Sequence, residues 1–180
     1  MEKNIWIPGV LLLILSFIFD PEIMKFVYSL KYDLLISIMK IITEPLFLIV
    51  VLFFYFMILK NDKRILLIIS LSIVFLITFF LKILIMRERP SGALITADNF
   101  SFPSMHASII FSSLAIMCKE YAKFKWIFIS IAAVIGLSRL YLGVHYASDI
   151  IFGALLGYGA GLLIMHRKVV YSRIYGVFRA

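Results

Sequence analysis

The chain has 180 residues, of which 63% are hydrophobic and 16% aromatic, and it carries a formal net charge of +8. Soluble domains contain about 45–50% apolar residues, so this composition excludes an ordinary soluble protein and indicates an integral membrane protein. The positive charges lie between apolar runs, so membrane topology and anionic lipid headgroups explain them better than nucleic acid, which is not an expected partner.

Six apolar runs predict an all-α, polytopic protein in which six transmembrane helices form a bundle. The first run is short, and because Asp20, Pro21 and Glu22 follow it instead of a cleavage site, it predicts a helix that ends near residue 19. No linker rich in glycine, serine or proline interrupts the chain, so residues 1–180 are expected to form a single membrane-embedded domain. The predicted spans are residues 5–19, 46–59, 65–86, 104–118, 124–141 and 145–165.

The stretch before the second span has a different pattern. Residues 23–43 mix charged and apolar side chains, and the apolar ones recur at spacings of three and four. This periodicity predicts a short amphipathic helix that lies in the membrane interface. Its apolar positions are Leu34, Leu35, Ile38, Met39 and Ile42.

The distribution of lysine and arginine predicts the orientation, because cytoplasmic loops carry an excess of these residues. Both termini are expected in the cytoplasm, which places the loop 87–103 and the turn 141–145 on the extracytoplasmic side. The basic residues that this arrangement leaves inside are Lys3, Lys60, Lys63, Arg64, Lys119, Lys123, Lys125, Arg167, Lys168, Arg173 and Arg179.

Residues 138–149 place Arg139, His145 and Asp149 in an otherwise apolar run. His145 and Asp149 are four residues apart, so on a helix the carboxylate can hold one imidazole nitrogen while the other points away, as in a nucleophilic or basic histidine. Each charge near the bilayer centre costs roughly 2.5–3.5 kcal/mol, so Arg139 and Asp149 need a pocket, an interface or a ligand. A structural Arg–Asp pair between helices would explain the segment equally well.

Two further segments carry polar groups on the same predicted side. Lys82 and Arg89 are seven residues apart, which on a helix projects both to one side, and residues 103–106 place Ser104 as an N-cap just before His106. Three cations, counting Arg139, together with a hydroxyl and the free amides of a helix start, would bind a phosphoryl group. Any one of these cations alone would be equally typical of an interface anchor whose charged end snorkels to the membrane surface.

In chain order, Lys82-x6-Arg89-Pro90, Pro103-Ser104-x-His106 and Ser138-Arg139-x5-His145-x3-Asp149 resemble the three-part signature of the type-2 phosphatidic acid phosphatase superfamily of membrane lipid phosphatases. The resemblance covers about residues 33–165. Within that superfamily the compact chain is most similar to undecaprenyl- and dolichyl-diphosphate phosphatases. One position departs from the signature, because Met105 stands where the middle motif usually has glycine, and its side chain would crowd the phosphate site or redirect the helix start.

The resemblance implies that His145 attacks phosphorus to give a phosphohistidine, that Asp149 orients the ring, and that His106 protonates the leaving oxygen and then activates water. It implies a lipid phosphate or diphosphate substrate on the outer leaflet of the cell membrane, and neither a cofactor nor a metal ion. The phosphoryl oxygens would be bound by Lys82, Arg89, Ser104, Arg139 and the residue at position 105, Met105.

Several alternatives stay open at this stage. The substrate could be a polyprenyl diphosphate, phosphatidic acid, phosphatidylglycerol phosphate or a sphingoid phosphate. The same residues would serve a phosphotransferase, and the cations alone would serve an anion channel or transporter. Gly153, Gly157 and Gly161 form a stripe that predicts close helix packing, either within the chain or in a homodimer. Glu88 and Asp98 are expected to be solvated loop charges.

Overall fold

The computed structural model describes residues 6–97 and 99–175, which form helices and connecting loops without any strand. This confirms the all-α class. A short 3₁₀ turn at Ala122–Phe124 leads into the sixth helix. The helices are α1 (Trp6–Ser29), α2 (Asp33–Thr43), α3 (Pro45–Ile58), α4 (Asn61–Ile85), α5 (Met105–Glu120), α6 (Lys125–Tyr141) and α7 (Ala147–Tyr175).

Three helical segments of the described chain are long and apolar enough to cross a membrane: Asn61–Ile85, Ala122–Tyr141 and Ala147–His166. The pair α2 and α3 passes the same test as one segment bent by 56° at Glu44, which raises the number to four. The chain is therefore a multi-pass membrane protein. α5 has 16 residues, so it spans only about 24 Å at about 1.5 Å per residue.

The structure corrects two predicted boundaries near the start of the chain. α1 does not end before Asp20; it continues through Pro21 to Ser29. The sequence suggests a helix end there because it shows an acid and a proline, but Asp20 is 2% exposed and is satisfied by partners on distant segments. The stretch 23–43 is accordingly divided, since its first residues complete α1 and a separate helix begins only at Asp33.

The short helix α5 lies at the centre of the bundle, and α7 packs along it with very close backbones. A Cβ atom added at Gly153 would lie 2.8 Å from the carbonyl oxygen of Ser104, and one at Gly161 would lie 2.5 Å from that of Ser112. At Gly157 it would lie 2.9 Å from the backbone nitrogen of Ser112 and closer still to the carbonyl oxygen of Ser108. The glycine stripe is therefore a packing surface within the chain. The homodimer stays a prediction, and its interface would have to lie elsewhere because α5 already covers the stripe.

The outer surface of the bundle is strongly apolar. Along α4, for example, Leu76, Phe80 and Leu84 are each more than 60% exposed. A soluble monomer rarely exposes so large a continuous apolar surface, whereas lipid tails cover it in a bilayer. The buried core lies towards the end of the bundle opposite the loop 87–103 and includes Tyr55, Leu59, Leu67, Ile110, Ile116, Met117, Phe128 and Ile135.

Candidate active site

The three predicted polar segments meet at one end of the bundle, where α4 and α6 end and where α5 and α7 begin. Lys82 lies in the last turn of α4, while Arg89 lies beyond the helix because Met86 adopts a left-handed backbone (φ 49°) and ends it. Lys82 and Arg89 therefore do not share a helical face as predicted. Both still act electrostatically on His106 and on His145, as Arg139 does.

A tight turn between α6 and α7 places His145. The amide of Gly143 donates to the carbonyl of Leu140 (2.9 Å), and the amide of Val144 donates to that of Arg139 (3.2 Å). Gly143 adopts φ 71°, and a Cβ there would also lie 2.9 Å from the Tyr28 hydroxyl, so the position requires glycine. His145 thus lies two residues before α7 instead of on the helix as predicted.

The His145 ring is held at both nitrogens and is 2% exposed. Its Nδ1 lies 3.3 Å from Asp149 Oδ2, and its Nε2 lies 3.3 Å from Nη1 of Arg89. Because arginine can only donate, Nε2 is the acceptor, so the ring proton sits on Nδ1 and faces the carboxylate. Burial, together with the positive charges of Arg139, Arg89 and Lys82, holds the pKa of His145 well below its ordinary value. The ring is therefore neutral, with the Nε2 lone pair on the side of the cations.

Two of the predicted cations are buried and do not snorkel to the surface. Lys82 is 6% exposed, and its Nζ donates to the carbonyls of Phe100 (2.5 Å) and Ser101 (3.3 Å) in the outer loop. Arg139 is 7% exposed, and its Nη1 donates to the hydroxyl of Thr43 (2.6 Å) at the end of α2. Both cations are therefore buried in the bundle and bound by the outer loop or by α2. This burial excludes their interpretation as interface anchors.

The third cation, Arg89, is anchored to the outer loop. Its Nε donates to the carbonyl of Asn99 (2.7 Å), and its two terminal nitrogens reach the side chain of Asn99 and the carbonyl of Val144. These bonds fix the guanidinium beside the histidine that follows Val144. Glu88 on the same loop is exposed, as predicted, whereas Asp98 lies outside the described residues.

Three buried polar atoms at this end of the bundle have no hydrogen-bond partner among the described residues: Ser104 Oγ, His106 Nε2 and Arg139 Nε. Ser104 does occupy the N-cap of α5, but its hydroxyl caps nothing; instead its amide donates to the carbonyl of Asp149 (3.1 Å). Leaving a buried polar group unsatisfied costs about 1–3 kcal/mol, and such groups call for an explanation. A hydroxyl, an imidazole and a guanidinium left open together fit an anionic ligand with several oxygens. Met105 is half-buried at the start of the same helix.

The sequence patterns did not indicate two charged residues that contact this site. Arg87 donates through Nη1 to Asp149 Oδ1 (2.7 Å) and through Nη2 to Asp20 Oδ2 (2.8 Å). The one signal in the sequence was Asp20 itself, an acid next to an apolar run, because an acid buried in a membrane protein requires a partner. Among the described residues, no three His, Cys, Asp or Glu side chains are grouped so that they could hold a metal ion.

The chain is similar to known proteins in family, sequence and fold. The family model described as the PAP2 superfamily matches residues 63–173. The Bacillus licheniformis "Bacitracin transport permease protein BcrC" is 39% identical over 67 residues, which are 37% of this chain and 32% of that protein. The "Undecaprenyl-diphosphatase" of Sulfolobus acidocaldarius is 40% identical over 60 residues, which are 33% of this chain and 29% of that protein.

These matches span about a third of the length of the curated relatives. The fold, by contrast, is shared over nearly the whole chain. The crystal structure of a transmembrane PAP2-type phosphatidylglycerolphosphate phosphatase from Bacillus subtilis superposes with a TM-score of 0.69 at 24% sequence identity, covering 98% of each chain.

Proposed function

This chain belongs to the PAP2 superfamily of membrane phosphatases, and from that premise we propose that it hydrolyses a lipid phosphate through a phosphohistidine formed on His145. The observation that carries the proposal is the state of the His145 ring: Nδ1–H faces Asp149, and Nε2 is free of a proton on the side of the cations. A histidine prepared in this way is a nucleophile.

In the first step, the Nε2 lone pair of His145 attacks phosphorus, and the bond from phosphorus to the leaving oxygen breaks. His106, which enters this step as an imidazolium, gives the proton on Nε2 to that oxygen and becomes neutral. The attacked ring becomes positively charged, and the Asp149 carboxylate at Nδ1 stabilises it. In the second step, water attacks phosphorus, its proton passes to His106, and the bond from phosphorus to Nε2 breaks, which restores the free imidazole.

In this proposal the phosphoryl oxygens are bound by polar groups whose hydrogen-bonding capacity is unused or only partly used among the described residues. Ser104 Oγ and Arg139 Nε have no partner, and Lys82 uses two of its three donors on loop carbonyls. Arg89 lies within reach of Nε2, so it would exchange that contact for a phosphoryl oxygen when the substrate enters. These fixed donors stabilise charge that develops in the transition state. The route needs no metal ion.

As substrate we propose a polyprenyl diphosphate of the undecaprenyl or dolichyl type, with phosphatidic acid and phosphatidylglycerol phosphate as the next candidates. The apolar outer surface supports a lipid whose tail stays in the bilayer while its headgroup enters the site. The similarity to an undecaprenyl-diphosphatase and to the fold of a phosphatidylglycerolphosphate phosphatase supports this class of headgroup.

For the topology we propose six membrane crossings, formed by α1, the bent pair α2 and α3, α4, α5, α6 and α7. Both termini would be cytoplasmic and the site extracytoplasmic. The charge distribution supports this, because the loops at the end opposite the site are rich in cations, as cytoplasmic loops are. These cations are Lys60, Lys63, Arg64, Lys119, Lys123 and Lys125.

The test uses protein purified in detergent with excess chelator. Phosphate release from a C55 diphosphate, phosphatidic acid and phosphatidylglycerol phosphate is measured for the wild type, His145→Ala and His106→Ala. His166→Ala is the matched control, because His166 is exposed near the opposite end of α7. We expect release that both site variants lose and the control keeps.

Three results would contradict the proposal. Full activity of His145→Ala would exclude the phosphohistidine. Phosphate release that is seen without chelator but not with excess chelator would exclude the metal-independent route. Transfer of phosphate to an added lipid or sugar alcohol, without release to water, would assign the protein as a phosphotransferase instead.

A further inference from the structure

A buried network of charges connects α1 to the start of α7 beside the candidate active site. The Arg87 guanidinium lies between two carboxylates, 2.8 Å from Asp20 and 2.7 Å from Asp149. The side chains of Asp20 and Asp149 are 3% and 0% exposed, so both charges depend on protein partners. The guanidinium also stacks over the ring of Tyr146, 4.1 Å from its centroid, which further fixes its position.

The two oxygens of the Asp149 carboxylate contact different partners. Oδ2 accepts from the amide of Tyr146 (2.9 Å) and faces Nδ1 of His145 (3.3 Å). Oδ1 accepts from Arg87. Arg87 on Oδ1 and the Tyr146 amide on Oδ2 together hold the plane of the carboxylate, to which the Ser101 side chain also hydrogen-bonds, and this plane determines whether Oδ2 is aligned with the His145 ring. Removing the partner of a buried carboxylate is strongly unfavourable, so the alignment depends on this contact.

Asp20 fixes Arg87 in turn. Its carboxylate accepts a hydrogen bond from one of the two terminal nitrogens of Arg87. It also accepts hydrogen bonds from the amide of Ser148 (3.1 Å) and from the hydroxyl of Ser148. Ser148 lies in the first turn of α7, next to Asp149, where a negative charge is favourable. Asp20 therefore holds Arg87 towards Asp149 and also ties α1 to Ser148, the residue before Asp149.

Given the function proposed above, we propose that Asp20 and Arg87 are positioning residues that align Asp149 with His145 and so keep the His145 proton on Nδ1. Neither residue contacts the substrate in this assignment. Asp20 lies on α1, outside the part of the chain that matches the family model, and neither residue occupies a position of the signature. The network thus extends the site to the first helix.

The experiment compares Arg87→Gln, Arg87→Lys, Asp20→Asn and the double variant Asp20→Asn/Arg87→Gln. Arg64→Gln is the matched control, because Arg64 is also a half-buried arginine with backbone carbonyl partners, at the opposite end of the bundle. The first readout is kcat and KM for the lipid phosphate that the wild type prefers. The second is the ring-nitrogen NMR spectrum of ¹⁵N-histidine protein, which reports the tautomer of His145 without any substrate. The chain has three histidines, so variants of each assign the signals.

We expect Arg87→Gln to lower kcat by about 10- to 100-fold, the size expected when a reacting group is misplaced by about 1 Å, with KM little changed. Its His145 spectrum should change from the Nδ1–H tautomer to a mixture. Arg87→Lys should lie between this variant and the wild type, because an ammonium keeps the charge but not the two-pronged geometry. The double variant should lose no more kcat than Arg87→Gln alone, because Asp20 acts on Asp149 through Arg87, whereas its bonds to Ser148 hold α1 in place.

Unchanged kcat and an unchanged spectrum in Arg87→Gln would overturn the inference, as would a raised KM at constant kcat, which would make Arg87 a substrate-binding residue. If Arg87→Gln does not fold, the same two readouts on Arg87→Lys decide. The outcome for the proposed function is separate: a wild type that releases no phosphate refutes that function, while the NMR comparison still tests the network.

Discussion

Replacing Gly157 by alanine is expected to damage both the packing of the bundle and the geometry of the candidate site. The added Cβ would lie 2.9 Å from the backbone nitrogen of Ser112 and closer still to the carbonyl oxygen of Ser108, whereas ordinary contact begins at 3.4 Å. Backbone atoms of a helix cannot turn aside as a flexible side chain can. The axes of α5 and α7 must therefore separate by more than about half an ångström.

This separation has a calculable consequence at the site. The amide of Ser104 donates to the carbonyl of Asp149 across the same interface, at 3.1 Å, and this bond stretches when α7 moves away from α5. Overpacking a core costs roughly 1–3 kcal/mol, so we expect a lower unfolding temperature. A shift of about 1 Å in a reacting group costs about 100-fold in rate, so a shift of half that size should lower kcat by about 10-fold.

The assay pairs thermal unfolding in detergent with phosphate release, and Gly136→Ala is the control. Gly136 is a buried helical glycine on α6 whose added Cβ would meet only Cγ2 of Ile150, at 3.2 Å, and that methyl group can move. Because alanine favours a helix over glycine by up to about 1 kcal/mol, the control should be as stable as the wild type or more so. Equal stability and activity in the two variants would refute the close α5–α7 packing described above.

Three further outcomes are expected. Lys82→Met should raise KM for the lipid phosphate by at least about 10-fold, since it removes a cation and leaves the carbonyls of Phe100 and Ser101 without a donor; steady-state kinetics with an unchanged KM would contradict its role. The pKa of His145 is lowered by burial and nearby cations, so below about pH 6.5 the unfolded chain binds a proton that the folded chain does not. Stability should therefore fall as the pH drops below that value, and His145→Gln should show a smaller fall in the unfolding temperature between pH 7.5 and pH 5; an identical fall would exclude His145 as a source. Met105→Gly should raise kcat/KM severalfold by opening the start of α5, and a lower kcat/KM in a folded variant would show that the methionine side chain contributes to the site.

The motif residues could be predicted because their spacing is local, while their partners could not. Asp149 lies four residues from His145, so the two are close along the chain, although His145 lies in the turn before α7 and not on the helix. Arg87 and Asp20, however, are 67 residues apart and meet only through the tertiary fold. The same contact explains the wrong boundary of α1: hydropathy indicates a helix end at an acid, but it contains no information about the cation that makes the acid tolerable inside the bundle.

The details of capping and bending were also beyond the sequence. Ser104 was predicted correctly as the N-cap of α5, but no amide of the first turn donates to its hydroxyl, while its carbonyl accepts the usual first bond of the helix from the amide of Ser108 (3.0 Å). The 56° bend between α2 and α3 lies at Glu44, directly before Pro45, and a proline predicts a break at the preceding residue but not an angle. Helix existence was thus predictable from composition, whereas the directions of helices depend on packing between distant segments.

The link between Asp20 and the first turn of α7 has a consequence for how the protein is made. The two residues that it joins, Asp20 and Ser148, are separated by 128 positions, so ribosomal synthesis inserts α1 long before its partner exists. Arg87, the cation that pairs with Asp20, precedes α7 in the chain, whereas the amide and hydroxyl of Ser148 that also bind Asp20 are made only with α7. A chain that stops before α7 therefore lacks both Ser148 and Asp149, so Asp20 and Arg87 can pair with each other but the rest of their network cannot form.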